Sequence, residues 1–343
     1  MILVNAKEKS QFKEFNFFNY SFVSISLSRL NQESLFNNNI DLIYKITKDL
    51  YDNKEILSDQ TDSIEEFLKI LFGFSRINLS TKLNYLIKSE DVDARYLSIT
   101  KFLNVFAETF IKENIGLFTS NEILELYHHY TNLFKDDVET IVIINQFIIR
   151  KEPIFLSHQT SKEESAFLDI SSLVNTMLAC SKEFLYVSSN SDKYNNSEKE
   201  SFIELAETLS GIYHKYHTLE KNKQKAISLN TKNMYLEEVC SLLLSFSILK
   251  LEDNYLLRDL IDYIRKHISE EENRNKISAS ISIQLLSSAK YIYNKIAEER
   301  DYYYLIHDIA YKKLDSFTSY ELSIVKRIIL SDKVINESPF LNI

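Results

Sequence analysis

Apolar residues recur with a helical period between Glu237 and Ile268, in two patterns joined by a short polar break. The first pattern has apolar residues at i, i+3, i+4, i+7 and i+10: Val239, Leu242, Leu243, Phe246 and Leu249. The second contains Leu257, Leu260, Ile261, Ile264 and Ile268. Each pattern places its apolar residues on one face of a helix. Because the connection is so short, the segment predicts an antiparallel pair of helices.

The same periodicity predicts helices along most of the chain. The predicted ranges are 22–30, 40–51, a helix from Ile64 with its partner from Leu83, 202–219, 235–250, 256–268, 281–296, 302–314 and 321–330. The apolar run 140–149 is interpreted as a buried helix that ends before Pro153. Polar stretches at 52–62 and 188–200 predict loops, and residues 1–16 are expected to be an N-terminal arm.

Short sequence echoes suggest that the helix pair is repeated. The segments SLSRLN at 26–31, GFSRIN at 73–78 and SFSILK at 245–250 each end a predicted first helix. Their spacing fits steps of roughly 40–45 residues, the size of a helical-hairpin repeat. A second echo, FTSNE at 118–122 and FTSYE at 317–321, predicts a helix start with a capping box.

Composition narrows the fold class, because the chain of 343 residues has only three Gly and two Pro. Strand-rich and α/β folds need glycine at tight turns and at strand-to-helix corners. We therefore expect an all-α fold, an α-solenoid of stacked helical hairpins. The expected divisions are an acidic helical-repeat half at 17–187, a flexible loop at 188–200 and a near-neutral helical-repeat half at 201–343.

Charge is distributed unevenly along the chain. The net charge is −9, of which residues 1–209 carry −10 and the remainder +1. The chain as a whole lacks the basic character of a nucleic-acid-binding protein. This charge balance still allows a local basic strip in the second half. Cys180 and Cys240 do not form a disulfide framework and favour a reducing compartment. No apolar stretch is long enough to predict a membrane span.

Two segments, LLSFSILKLEDNYLLRD at 243–259 and YLIHDIAYKKLDSFTSYELSIV at 304–325, resemble heptatricopeptide- or octotricopeptide-type helical repeats. Such repeats occur in FAST kinase-like and RAP-domain organellar proteins. The resemblance implies an α-solenoid that works on mitochondrial RNA or in the mitochondrial ribosome. The chain has no recognisable RAP domain after Ser319, and its first half is acidic. Both departures favour a structural subunit over a free RNA-binding factor.

Common catalytic and cofactor motifs are not expected. Gly73, Gly116 and Gly211 are too far apart for a phosphate-binding loop or a nucleophile elbow. The pattern His214-x-x-His217-x-x-Glu220 would need a further ligand to hold a metal, so we interpret it as an exposed polar edge. We therefore expect no enzyme activity, cofactor or metal; an all-α enzyme remains a minor alternative.

The remaining candidate site is a basic strip with interleaved tyrosines in the second half. In a solenoid, equivalent positions of successive helices share one surface, which would suit a phosphate backbone and stacked bases. Alternatively, these cations pair with nearby carboxylates such as Asp301 or Asp308. The predicted RNA contacts are Arg265, Lys266, Lys290, Tyr291, Tyr293, Lys295, Lys312, Lys326 and Arg327.

The sequence thus predicts a non-catalytic scaffold subunit of an organellar ribonucleoprotein, specifically a structural component of a mitochondrial ribosome. Its expected partners are other protein subunits and RNA, without DNA or a membrane. Two alternatives stay open: a protein–protein interaction solenoid without nucleic acid, and a free organellar RNA-binding factor. The resemblance places the protein in the mitochondrion. Because residues 1–15 are a poor import signal, the cytoplasm remains the alternative.

Overall fold

The structure of the protein is a computed structural model. It describes residues 17–28, 40–59, 63–76, 94–157, 170–222, 236–251, 254–295 and 300–330. All the regular structure within these ranges is helical, which confirms the all-α prediction. The chain divides into two compact units: unit 1 comprises Met1–Ser172 and Asn196–Ser201, and unit 2 comprises Leu173–Asn195 and Phe202–Ile343.

The helices of the first part of the chain are α1 (Phe17–Ser28), α2 (Ile40–Asp52), α3 (Lys54–Ser58), α4 (Ile64–Arg76), α5 (Ala94–Asn114), α6 (Ser120–Leu133) and α7 (Val138–Ser157). The second part contains α8 (Ile170–Ser189), α9 (Asn196–Asn222), α10 (Leu236–Leu249), α11 (Asn254–Ser269), α12 (Glu271–Lys276), α13 (Ala279–Lys295), α14 (Arg300–Lys312) and α15 (Ser319–Leu330). Short 3₁₀ helices at Ile115–Leu117 and Leu314–Ser316 precede α6 and α15.

Helices packed in unit 1 are often not neighbours in the chain. Helix α1 packs on α4, α4 packs on α6, and α2 packs on α5, while α6 and α7 form an adjacent pair. Helices α1 and α4 come so close that a Cβ built on Gly73 would lie 2.4 Å from the backbone carbon of Ser24. The SLSRLN and GFSRIN echoes therefore end two helices that pack against each other, and Leu27 and Phe74 within them are fully buried.

Two tyrosine hydroxyls in unit 1 form hydrogen bonds with carboxylates of neighbouring segments. Tyr20 of α1 donates a hydrogen bond to the Asp49 carboxylate of α2. The Tyr130 hydroxyl lies 2.5 Å from an Asp137 carboxylate oxygen, just before α7 begins. Burial is the main cause that raises the pKa of both tyrosines, and the neighbouring carboxylates add to it. Both groups therefore stay protonated as hydrogen-bond donors.

In unit 2, α10 packs on α11 and α13, and α13 packs on α14 and α15. The predicted pair at 237–268 is confirmed as α10 and α11. Helix α10 ends with Lys250 at a φ of 56°, while the Leu251 amide donates to the Phe246 carbonyl at 3.1 Å. This is a Schellman-type ending in which lysine occupies the left-handed position that usually favours glycine.

Contacts between helices separated in the chain are expected of stacked hairpins, but the solenoid stays a prediction.

Both predicted helix starts carry a capping box. At α6, the Thr119 amide donates to the Glu122 carboxylate at 2.7 Å, and the Glu122 amide donates to the Thr119 hydroxyl at 3.4 Å. At α15, Thr318 and Glu321 repeat the exchange at 2.8 and 3.2 Å. Each threonine follows a 3₁₀ helix and a buried phenylalanine, so the sequence echo corresponds to a repeated local structure.

Two predicted details were wrong. The stretch 52–62 contains the short helix α3, and the Asn114 side chain donates to the carbonyl of Ser58 at its end. Helix α7 does not end before Pro153 but continues to Ser157. A proline inside a helix removes one backbone hydrogen bond without obliging the helix to stop, and Lys151 anchors this part of α7 through its ammonium group, which donates to the Phe118 carbonyl.

Other predicted features lie partly or wholly outside the described residues. These are the N-terminal arm 1–16, the helix from Leu83 and the chain end after 330. The predicted loop 188–200 includes the connection 190–195, and the rest of it belongs to α8 and α9. None of the described helices is both long enough and apolar enough to cross a membrane.

Candidate interaction surface

Arg265, the first residue of the predicted basic strip, is half-buried on α11. Its guanidinium carbon lies 5.9 Å from the ring centroid of Tyr302 on α14, and one of its nitrogens lies 3.9 Å from the Asp262 carboxylate. Tyr302 is fully buried. Arg265 therefore contributes to packing between α11 and the start of α14, and its charge faces a carboxylate of its own helix.

The two tyrosines of the strip, Tyr291 and Tyr293, have different neighbours. The Tyr291 hydroxyl donates to the backbone carbonyl of Leu251 at 2.8 Å, in the connection after α10. The Tyr293 ring lies 5.0 Å from the Tyr303 ring on α14. Side chains two positions apart on a helix are separated by a rotation of about 200° around the helix axis. The structure therefore directs these rings to different sides of α13 instead of one stacking surface.

The remaining cations differ in exposure. Lys266, Lys326 and Arg327 are exposed, and Lys290 is half-buried. The ammonium of Lys312 lies 2.7 Å from the Asp308 carboxylate in an exposed pair on α14, which matches the alternative prediction for this lysine. The side chain of Lys295 lies outside the described residues. The RNA-contact surface stays a prediction, with exposed cations on α11 and α15 as its strongest members.

Helix α14 carries a surface that the sequence analysis missed. We call it the α14 stripe and define it as Asp301, Tyr304, Asp308, Tyr311 and Asp315; all five are exposed. The aspartates recur every seven residues, as do the tyrosines. Residues at i, i+3, i+7 and i+10 share one helix face, so Asp301 through Tyr311 line α14, and Asp315 follows in the 3₁₀ helix.

The other side of α14 explains why these tyrosines point outward. Tyr302, Tyr303, Ile306, Ile309 and Ala310 are buried, and α14 packs on α13. By contrast, Tyr304 and Tyr311 are 59% and 42% exposed. The hydroxyl of a tyrosine tolerates water while its ring offers a large apolar contact. The stripe therefore places Asp301, Tyr304, Asp308 and Tyr311 on one solvent-facing side of α14, and the exposed Asp315 follows in the 3₁₀ helix.

The adjacent histidines on α6 occupy a cationic and aromatic environment. The His129 ring lies edge-on to Phe72 of α4, with centroids 5.4 Å apart. Burial is the largest of three causes that together lower the pKa of His129 to about 4; the charges of His128 and Arg76 are the other two. Neutral His129 consequently packs between α4 and α6.

The two cysteine thiols, which are potentially reactive groups, are buried in the helix packing. Burial raises the pKa of the Cys240 thiol, and the negative charge of nearby Glu237 raises it further. The Cys180 thiol donates to the Phe202 carbonyl at 3.2 Å. Among the described residues, no three His, Cys, Asp or Glu side chains form a group that could hold a metal ion. For the predicted His214, His217 and Glu220 edge, only the His214 side chain is described.

Comparisons of the chain with protein families, curated proteins and solved structures found no match. The resemblance to heptatricopeptide- or octotricopeptide-type repeats therefore stays a prediction.

Proposed function

We propose that this protein is a non-catalytic helical scaffold that binds other proteins as a subunit of a larger assembly. The observation that carries the proposal is the α14 stripe, where large tyrosine rings face solvent on a helix whose opposite side is already buried. Tyrosine is enriched among residues that dominate binding energy at protein interfaces, because it adds apolar area at a small cost in side-chain entropy.

The use of polar side chains elsewhere supports a scaffold over an enzyme. Tyr20 and Tyr130 bind carboxylates that connect helices, and Lys151 binds a backbone carbonyl beside the α6 cap. A catalytic acid or base has to be available to a substrate. These groups instead form hydrogen bonds with buried or half-buried partners and so stabilise the packing of the helices.

A second candidate is a structural subunit of an organellar ribonucleoprotein, such as a mitochondrial ribosome. Its support is the repeat-like sequence pattern together with the exposed cations Lys266, Lys326 and Arg327. The ion pair of Lys312 and the internal hydrogen bond of Tyr291 weigh against a continuous RNA surface. In this candidate, protein contacts provide most of the binding and RNA contacts are added at the exposed cations.

The test uses the tagged full-length chain in extracts of its source, separated by sedimentation with and without ribonuclease. We expect the chain to sediment well ahead of the purified protein, and ribonuclease to leave that position unchanged if proteins alone hold the assembly. A ribonuclease-sensitive assembly that is also weakened by Lys266→Glu, Lys326→Glu and Arg327→Glu favours the second candidate. Sedimentation identical to that of the purified chain in every condition contradicts both.

A further inference from the structure

We propose that the α14 stripe is the docking face for a basic helical segment of a partner protein, one that carries arginine or lysine at heptad spacing. The inference rests on the proposed scaffold function and deepens it by naming the chemistry of the partner. Its basis is the combination of two exposed rings and two exposed carboxylates on one face of α14, with a third exposed carboxylate in the 3₁₀ helix that follows.

The spacing selects a helix as the occupant. Asp301, Asp308 and Asp315 are seven residues apart, and Tyr304 and Tyr311 fall between them with the same period. A partner helix lying along α14 at a small crossing angle meets equivalent positions once per heptad. Seven residues of a helix span about 10.5 Å, whereas side chains on one face of a strand recur about every 6.6–6.8 Å. A strand that matches one tyrosine would therefore miss the next.

The chemistry selects a basic occupant. A guanidinium can stack on a tyrosine ring and also donate paired hydrogen bonds to a carboxylate. Each seven-residue interval of the α14 stripe contains one tyrosine ring and one aspartate carboxylate. Arginine at every seventh position of the partner would therefore meet a ring and an aspartate together.

The existing ion pair on the stripe is compatible with this docking. Lys312 and Asp308 form an exposed pair, with 65% and 51% of their side chains accessible. An exposed ion pair contributes roughly 0–1 kcal/mol. A partner arginine can replace Lys312 at little cost, and Lys312 can then return to solvent.

The same residues disfavour nucleic acid at this surface. Single-stranded RNA needs cations to neutralise its phosphates as well as rings on which bases stack. The α14 stripe places an aspartate on either side of each tyrosine, and Lys312 is already paired with Asp308. Carboxylates next to the rings would repel the phosphates that connect stacked bases.

The test measures binding of a fluorescent synthetic helix to the full-length protein by fluorescence anisotropy. The probe is an alanine-rich helix with arginine and leucine at heptad positions. Comparison probes are the same helix with glutamate replacing arginine, oligouridylate, and vesicles containing an anionic lipid. We expect saturable binding of the arginine helix only, weakened by added salt because the contacts are charged.

Variants locate the binding. Tyr304→Ala with Tyr311→Ala, and separately Asp301→Lys with Asp315→Lys, should each weaken binding by about tenfold or more. The matched control is Tyr320→Ala, which removes a tyrosine that is 74% exposed on α15 but outside the stripe. All these side chains are exposed, so the helical content should stay unchanged. A small loss of thermal stability is expected where Asp301 is lost from the first turn of α14 or where the Tyr304 ring, 5.7 Å from that of Tyr303, is removed.

The proposal is overturned if the arginine helix fails to bind, if the glutamate helix binds equally well, or if Tyr320→Ala matters as much as the stripe variants. Binding of oligouridylate or vesicles through the same residues would also overturn it. These outcomes are distinguishable from failure of the scaffold function: an assembly that persists in the Tyr304→Ala and Tyr311→Ala variant refutes the docking face but leaves the scaffold intact.

Discussion

Gly73 provides the sharpest test of the packing between α1 and α4. Its missing side chain lets the two helices approach until an added Cβ would meet the Ser24 carbonyl carbon at 2.4 Å, its oxygen at 2.5 Å and its Cβ at 2.8 Å. Two of these three atoms belong to the backbone and cannot rotate away. Gly73→Ala must therefore push the helices apart or distort one of them.

The expected effect is the difference between two opposing terms. Overpacking a tight interior contact costs about 1–3 kcal/mol. Replacing glycine by alanine within a helix contributes about 1 kcal/mol in the opposite direction, because alanine has the higher helix propensity. We expect the steric term to lie at the upper end of its range, since the close contacts are to backbone, and the free energy of unfolding to fall by up to about 2 kcal/mol.

Gly211 supplies a matched control. It lies within α9, and a Cβ added there has no heavy atom within 4 Å. Gly211→Ala should therefore increase the free energy of unfolding by about 0.5–1 kcal/mol through helix propensity alone. Comparing the two variants separates the steric effect from the intrinsic preference of alanine for helices.

The assay is urea unfolding followed by far-ultraviolet circular dichroism, with amide hydrogen exchange to locate the change. In Gly73→Ala, exchange should accelerate in α1 and α4. Adding Ser24→Gly should restore stability only partly, because it removes the Ser24 Cβ but not the carbonyl group. Stabilisation of Gly73→Ala to the same extent as Gly211→Ala would refute the close approach of the two helices.

Three further predictions concern single side chains. Tyr130→Phe removes the hydroxyl that lies 2.5 Å from Asp137 and should lower stability by about 1–2 kcal/mol in urea unfolding; an unchanged midpoint would show that this contact contributes nothing. His129 has a folded pKa of about 4 against an ordinary 6.5, so the unfolded chain binds the proton more readily between these values. Its contribution to stability is complete above about pH 6.5 and falls as the pH drops, by about 2 kcal/mol at pH 5; His129→Leu should reduce that pH dependence, and an identical profile in the variant would contradict the assignment. Lys250→Gly should raise the thermal midpoint, with a gain of about 0.5–1 kcal/mol, because Lys250 has a φ of 56° that glycine adopts without strain; a lower midpoint would refute this view of the α10 end.

Helix positions were predictable because a helix buried on one side must repeat its apolar residues with a period near 3.6. The pair at 237–268 and the two threonine caps are local patterns of this kind, so the structure confirms them. The prediction at Pro153 is wrong because a proline disfavours the helix interior without always ending the helix. Contacts distant in the sequence, such as that of Lys151 with the Phe118 carbonyl, also hold this part of α7.

Partners distant in sequence were not predictable. Nothing near Tyr291 indicates that its hydroxyl would meet the Leu251 carbonyl, because that contact depends on how α13 packs. The α14 stripe was overlooked for a related reason. Tyr302 and Tyr303 are buried whereas Tyr304 is exposed, and the local sequence YYY does not distinguish them. The seven-residue spacing of the stripe's aspartates is visible in the sequence and indicates one helix face.

The most direct test of the scaffold proposal is sedimentation of the tagged chain from extracts of its source, compared with the purified protein. We predict that the wild-type chain and Tyr320→Ala sediment together in a large assembly. The Tyr304→Ala and Tyr311→Ala double variant should shift toward the position of the purified chain. A wild-type chain that sediments only at that position, with no larger assembly, would contradict the proposal that this protein is a scaffold.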